Sequence, residues 1–270
     1  LKPSIITLLS DFGSPDYFVA AMKGTILSIV PDAVIVDITH EIPAHDIHAG
    51  AFNLLAVYKD FPAGTVHVAV VDPGVGSSRR GVAVECAGQF FVGPDNGLFS
   101  WICERERNFR AAHLTNTKFF RHPISQTFHG RDVFAAVAAA LTKGISLSEF
   151  GPVIVDLVQL DSLAAKTLPD GAIEARILHI DRFGNCITNL TRDHLAQGEK
   201  ENGAILCVNG REISSFREFF ADAGADGELF CFFGGAGFLE IAARNTSAAK
   251  IMGARCADPV ILAARASRPH

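Results

Sequence analysis

Apolar residues come in short runs along the first half of the chain, each closed by a turn or a charge. Ile5–Leu9 and Ala33–Asp37 read as strands. His67-Val68-Ala69-Val70-Val71 reads as a central strand, apolar enough to be covered on both faces. Between these runs, Phe18–Val30 and about Ile47–Tyr58 carry helical patterning, the first stopped by Pro31. Gly81–Cys86 and Gln89–Val92 predict an antiparallel pair about Ala87-Gly88, and Pro94-Asp95-Asn96-Gly97 a turn. Val133–Leu141 reads as an Ala-rich helix with Asp132 as its cap. Alternating strands and helices predict an α/β layer over residues 1–155, a mainly parallel sheet flanked by helices.

The texture changes at 151–172, where Pro152, Pro169, Asp170 and Gly171 bracket a segment of weak periodicity that reads as a linker. Short strand-like runs follow at Ala172–Ile180, Cys186–Leu190, Ala204–Val208, Leu229–Phe233 and Phe238–Ala242. They predict a smaller, antiparallel C-terminal β domain over residues 170–270.

Composition narrows the classes. Apolar residues make up 49% of the 270 and charged residues 20%, which suits an ordinary globular protein. A net charge of −5 with interspersed signs gives no basic footprint, so no nucleic-acid partner is expected. No apolar run has the length of a membrane span, and the N-terminus lacks a signal peptide's features, so a cytoplasmic setting is expected. The first residue is Leu1 rather than Met, and the expectation is that an upstream stretch was removed. The six cysteines are scattered without a C-x-x-C pair, which argues against a zinc site and a disulfide scaffold.

Candidate chemistry gathers at strand ends. Ile5–Ser10 runs into Asp11, Ala33–Val36 into Asp37, and the central strand into Asp72-Pro73-Gly74. In an open parallel sheet ligands bind beyond the carboxyl ends of the strands, so three carboxylates there suggest a polar site. Arg79 and Arg80 follow Asp72 closely enough for the loop to fold one back onto it, which would orient the carboxylate. By itself this is more readily a strand-to-turn corner with a surface ion pair, and it is the repetition of strand-end carboxylates that favours a site. His129, beside Gly130 before a helix, reads either as a donor to a carboxylate or water, or as a solvated loop imidazole. His40, Glu41, His45, Asp46 and His48 fit no standard metal spacing, and a capped helix start explains them better, so no metal is expected. Gly74-Val75-Gly76 lacks the third glycine and the following helix of a dinucleotide fingerprint. Within Asp181-Arg182-Phe183-Gly184-Asn185, Phe183 offers a stacking face and Asn185 the donor and acceptor of an adenine edge; a turn with one aromatic is the plainer reading.

Ser10-Asp11-Phe12-Gly13, Val71-Asp72-Pro73-Gly74-Val75-Gly76, Gly93-Pro94-Asp95-Asn96-Gly97, Thr127-Phe128-His129-Gly130-Arg131-Asp132 and Asp181-Arg182-Phe183-Gly184-Asn185 occur in this order. Together they resemble the S-adenosyl-L-methionine hydroxide adenosyltransferase family, relatives of the fluorinase and chlorinase. The resemblance covers nearly the whole chain. It implies an N-terminal α/β domain and a C-terminal β domain, a homotrimer with sites between subunits, and a small-molecule substrate, S-adenosyl-L-methionine, hydrolysed to adenosine and methionine without cofactor or metal. It places the family's Asp/Arg/His triad on Asp72, Arg79 and His129, with Arg80 as the alternative arginine. It also implies Asp11 at the ribose hydroxyls, Asp16 and Asp181 at the methionine ammonium, and Phe183 and Asn185 at the adenine.

The chain departs from the family at Gly234-Gly235, before Gly237-Phe238-Leu239-Glu240, where relatives often carry Asn-Ser. Backbone N–H groups around Gly235 are expected to stand in there, with Glu240 also at the substrate site. A halogenase is an alternative, but an ionised Asp72 would repel a halide. A non-catalytic sensor of adenosine or S-adenosyl-L-methionine is another, which the glycines keep open.

Overall fold

The computed structural model describes residues 4–195, 204–218 and 224–264, and the chain divides into two units that meet between Ser162 and Leu163. In the first unit β1 (Ile5–Ser10), α1 (Phe18–Ile29), β2 (Val34–Thr39) and α2 (Ile47–Val57) precede β3 (Val66–Val70). Every residue of β3 is buried, as a Val-rich strand covered on both faces requires. β4 (Gly81–Cys86), β5 (Gln89–Pro94), α3 (Ser100–Glu106), β6 (Phe109–His113), α4 (Ala136–Thr142) and β7 (Val153–Ile154) complete the unit.

The sheet order is β2-β1-β3-β5-β4-β6-β7. β2, β1, β3 and β5 pair in parallel, and β4, β6 and β7 extend the sheet antiparallel. The period of two sorts the side chains. Ile6, Leu8, Val66, Val68 and Val70 join Met22 and Ile26 of α1 and Val137 to Leu141 of α4 in one buried core. On the opposite face Leu9 and Val71 lie under Gly50 of α2. That face also encloses His67. Its Nδ1 lies 2.8 Å from Thr7 Oγ1 and its ring stacks on Phe91, centroids 4.9 Å apart. Burial pushes His67 down to about 4.

Two expectations for this unit change. Asp37 does not end its strand: β2 continues through Ile38 to Thr39, and Asp37 pairs in register with Leu8, inside the sheet. Its carboxylate binds Lys23 at 2.6 Å and His40 at 3.2 Å, which holds it below the ordinary carboxylate range against the cost of its partial burial. Asp132 is not a cap. The helix begins earlier, with a π-helical turn over Gly130–Ala135, and Asp132 lies inside it, fully buried. There it accepts from Arg131 at 2.6 Å, Arg121 at 3.0 Å and the Ser125 backbone N–H at 2.8 Å, so it fastens residues 121–125 to the helix.

The second unit holds β8 (Lys166–Thr167), β9 (Ile173–Ile180), β10 (Cys186–Thr191), α5 (Arg192–Leu195), β11 (Ala204–Val208), β12 (Arg211–Ile213), β13 (Leu229–Phe233), β14 (Phe238–Ala243), α6 (Ala248–Met252) and β15 (Pro259–Ala264). The named strands pair antiparallel in the order β12-β11-β15-β9-β10-β14-β13, with β8 on β9. A bridge from Phe216 to Cys231 of β13 brings the two edges together, so the sheet is nearly a barrel. Its core includes Ile177, Leu190, Leu206, Leu239, Ile241 and Val260. Among the described residues, no helix is long and apolar enough to cross a membrane.

Candidate active site

β3 ends at Val70; beyond it Pro73 has no N–H to continue the ladder, and the chain turns sharply after Asp72. The Val75 N–H donates to the Asp72 carbonyl at 3.2 Å and the Ser77 N–H to the Gly74 carbonyl at 3.1 Å. These turns carry Arg79 back to the strand end. Arg79 Nε donates to Asp72 Oδ1 at 2.8 Å and its Nη2 to Asp72 Oδ2, a two-pronged contact. The same Nη2 lies 3.0 Å from His129 Nδ1, and the guanidinium sits over the Phe134 ring, 5.2 Å from its centre. Asp72 and Arg79 side chains are 5% and 12% exposed, so the pair is largely shielded from water.

Gly76 makes this approach possible. Its φ is +76°, and a Cβ there would overlap the carbonyl oxygen of Gln126, three residues before His129. The Asp72–Arg79 loop therefore lies directly on the segment that carries His129. On the other side Phe128 packs edge-on against Phe12 and Phe18, centroids 6.0 and 5.3 Å away, which ties that segment to the end of β1.

Burial, then the Arg79 charge, pull the His129 imidazole below its ordinary value, against smaller opposing effects of Asp72 and Asp132. A neutral ring whose Nδ1 accepts from Arg79 carries its proton on Nε2. Both Asp72 oxygens take one hydrogen bond from Arg79 and keep a second lone pair each. The arrangement is thus a fixed carboxylate acceptor beside a fixed imidazole donor.

Other predicted site residues of this unit fall nearby or apart. Asp11 follows β1 and accepts the His45 N–H at 2.9 Å. Asp16 is exposed in the loop before α1. Arg80 turns away, to Asp95 at 2.6 Å and Asp156 at 2.8 Å, so of the two arginines Arg79 is the one that contacts Asp72. The 40–48 segment disperses: His40 binds Ser10 Oγ at 2.7 Å, Ser14 donates to Glu41 at 2.6 Å, Asp46 caps α2, and His48 sits edge-on to Trp101. Among the described residues no group of His, Cys, Asp or Glu could hold a metal ion. Sequence reasoning read Asn96 only as a turn residue. It follows β5 and its Nδ2 donates 2.8 Å to the Val71 carbonyl, bracing the residue before Asp72.

The remaining predicted residues line a cavity of about 710 Å³ in the second unit: Asp181, Phe183, Asn185, Gly235 and Glu240, joined by Gly234. Phe183 is 78% exposed. Asp181 is committed to its own turn. Its Oδ1 accepts from the Phe183 and Asn185 backbone N–H groups at 2.9 and 2.8 Å, and its Oδ2 from Asn185 Nδ2 at 2.9 Å. Asn185 is thereby fixed, with its Oδ1 and one N–H still available. Glu240 has no hydrogen-bond donor among the described residues, and burial first, then Asp181, push it up to about 7.

A family model described as the SAM hydroxide adenosyltransferase N-terminal domain matches residues 6–151, and the C-terminal counterpart matches residues 175–261. The chain belongs to the SAM hydroxide adenosyltransferase family. Proteins named (R)-S-adenosyl-L-methionine hydrolase in Methanocaldococcus jannaschii and Thermus thermophilus are 35% and 36% identical to it, covering 95% of this chain and 94% and 98% of theirs. A fluorinase of Actinoplanes sp. is 29% identical over 90% of this chain and 91% of its own. The crystal structure of an uncharacterized conserved protein from Thermotoga maritima superposes with a TM-score of 0.88 at 30% identity, covering 96% of this chain and all of that one. The matched residues span both units of this chain.

Proposed function

We propose that this member of the SAM hydroxide adenosyltransferase family hydrolyses S-adenosyl-L-methionine to adenosine and L-methionine, by in-line attack of water at the ribose C5′. The observation that carries the reading is Arg79, forked on Asp72 and touching His129 at the end of β3. In the reaction a C5′–O bond forms as the C5′–S bond breaks, and the electron pair leaves on sulfur as the neutral thioether of methionine. The sulfonium is already an activated leaving group, so neither a general acid nor a cofactor is called for. Asp72 accepts one water hydrogen and takes the proton during or after attack. Arg79 holds Asp72 in orientation. His129 donates from Nε2 to the water oxygen and fixes its position.

The roles of Asp11 at the ribose, Asp16 and Asp181 at the ammonium, and Phe183, Asn185 and Gly235 around the nucleoside belong to the same proposal, as does a homotrimer with sites shared between subunits. The hydrolase relatives are more similar than the fluorinases, and a carboxylate at the attacking position suits water rather than a halide.

The test is incubation of metal-stripped protein with each sulfonium epimer of the substrate in oxygen-18 water, since the relatives are named for the (R) form. Adenosine carrying one heavy oxygen is the expected result. Intact bound substrate without adenosine would replace the reading with that of a sensor. The mass in solution checks the trimer.

A further inference from the structure

Gly234 and Glu240 face each other across the tight turn between β13 and β14. A Cβ on Gly234 would overlap Glu240 Oε1, so the carboxyl occupies the place that a side chain at 234 would take. The turn is closed by backbone bonds, Gly234 N–H to the Phe238 carbonyl and Gly237 N–H to the Gly234 carbonyl, both 3.0 Å. The carboxyl therefore rests against a fixed backbone. It lines the cavity without a protein donor, and no Lys or Arg is among the described residues lining that cavity.

From this juxtaposition we infer that Glu240, admitted by Gly234, is a specificity-determining residue that makes the cavity prefer the cationic substrate over its neutral products. The inference rests on the hydrolase reading for the identity of the substrate. S-adenosyl-L-methionine carries a sulfonium, an ammonium and one carboxylate, a net positive charge. Adenosine is neutral and methionine a zwitterion. A cavity with a half-buried, unpaired carboxyl attracts the first and has no charge to offer the other two. The asymmetry favours loading and product release together. The two acids of the cavity differ: Asp181 is held by the amide donors of its own turn, and Glu240 adds a second carboxyl that no donor among the described residues holds.

Affinity for the cation should follow Glu240 ionisation. Asp181, in the turn between β9 and β10, is the charged group that acts on it. Of its strand neighbours, Ile187 on β10 and Phe232 on β13 are uncharged, and Arg192 beyond β10 is held over the Phe233 ring at 4.4 Å. Because Glu240 titrates near 7, a cation binds more tightly as pH rises from 6 to 8.

Calorimetry on the full chain tests this with S-adenosyl-L-methionine and adenosine as separate ligands. Glu240→Gln should weaken S-adenosyl-L-methionine roughly tenfold or more at pH 8, leave adenosine within about twofold, and abolish the pH dependence. Gly234→Ala, which displaces the carboxyl without removing it, should give the same pattern and serves if the first variant misfolds. Equal losses for both ligands would overturn the inference and assign Glu240 to the nucleoside; no loss for either would overturn it as well. Wild-type turnover is measured separately in oxygen-18 water. A wild type that binds the cation selectively but makes no adenosine would sink the hydrolase reading while leaving the role of Glu240 standing.

Discussion

Asp72 and Glu240 are both partly enclosed carboxyls, and their surroundings differ in kind. Asp72 is gripped by an arginine that also touches a histidine, and a glycine without room for a Cβ presses the whole loop into place. Glu240 also owes its position to a glycine, yet no described side chain answers it. The first carboxyl is oriented before any ligand arrives, as the proposed aiming of one water requires. The second keeps its partner's place open, as a recognition group does.

The sharpest way to break the comparison is Asp72→Asn. Turnover should fall by about 10² to 10⁴, while the dissociation constant for S-adenosyl-L-methionine, measured by calorimetry, should move by less than about threefold. Equal losses in both would make Asp72 a binding group like Glu240. Gly76→Ala attacks the same geometry from behind. The positive φ and the overlap with the Gln126 carbonyl should cost roughly 1–3 kcal/mol of stability in urea unfolding, and turnover should drop about tenfold or more as Arg79 parts from His129. Unchanged turnover would show that the triad assembles without that loop contact.

The buried His67 extends the contrast to stability. Its folded value of about 4 lies below the ordinary 6.5, so the unfolded chain takes a proton that the folded one refuses. Stability from this group is full above 6.5 and is lost as pH falls toward 4, about 3 kcal/mol in all; His129, lowered in the same direction, adds to the loss. Unfolding free energies at pH 7 and 4.5 check the slope, which should shrink in His67→Gln. The smallest effect belongs to Asp46→Ala, which removes the 2.9 Å cap on the Ala49 N–H. About 1 kcal/mol of stability should go, with turnover unaltered.

The buried strands were legible because β3 is covered on both faces and so must be apolar throughout. The seven-residue return from Asp72 to Arg79 was legible because Pro73, Gly74 and Gly76 announce a turn. His129 could be joined to that pair only through the family resemblance, since 50 residues separate it from Arg79 and no local pattern records their contact. α3 escaped notice because it is short and its N-cap residue, Phe99, makes no side-chain cap bond; β6 and β15 lack a distinctive period. Asp132 misled because its type suits a cap, and only its burial between two arginines shows the other use. The Gly234–Glu240 contact was illegible for a related reason. In the sequence, two missing side chains looked like a loss, and the hairpin shows that one of them makes room.

The π-helical turn at Gly130–Ala135 sets the angular phase between His129 and the core helix. An α-helix advances about 100° per residue, and a π turn absorbs one extra residue without rotating the helix beyond it. Val137 to Leu141 thus keep their buried positions while His129 keeps its own bearing toward Arg79. Rewinding the same residues as an ordinary α-helix, with none removed, would swing the imidazole by roughly a quarter of a revolution against the core. The spacing there works as a gear offset, and chain length at this point is as much a part of the site as the side chains.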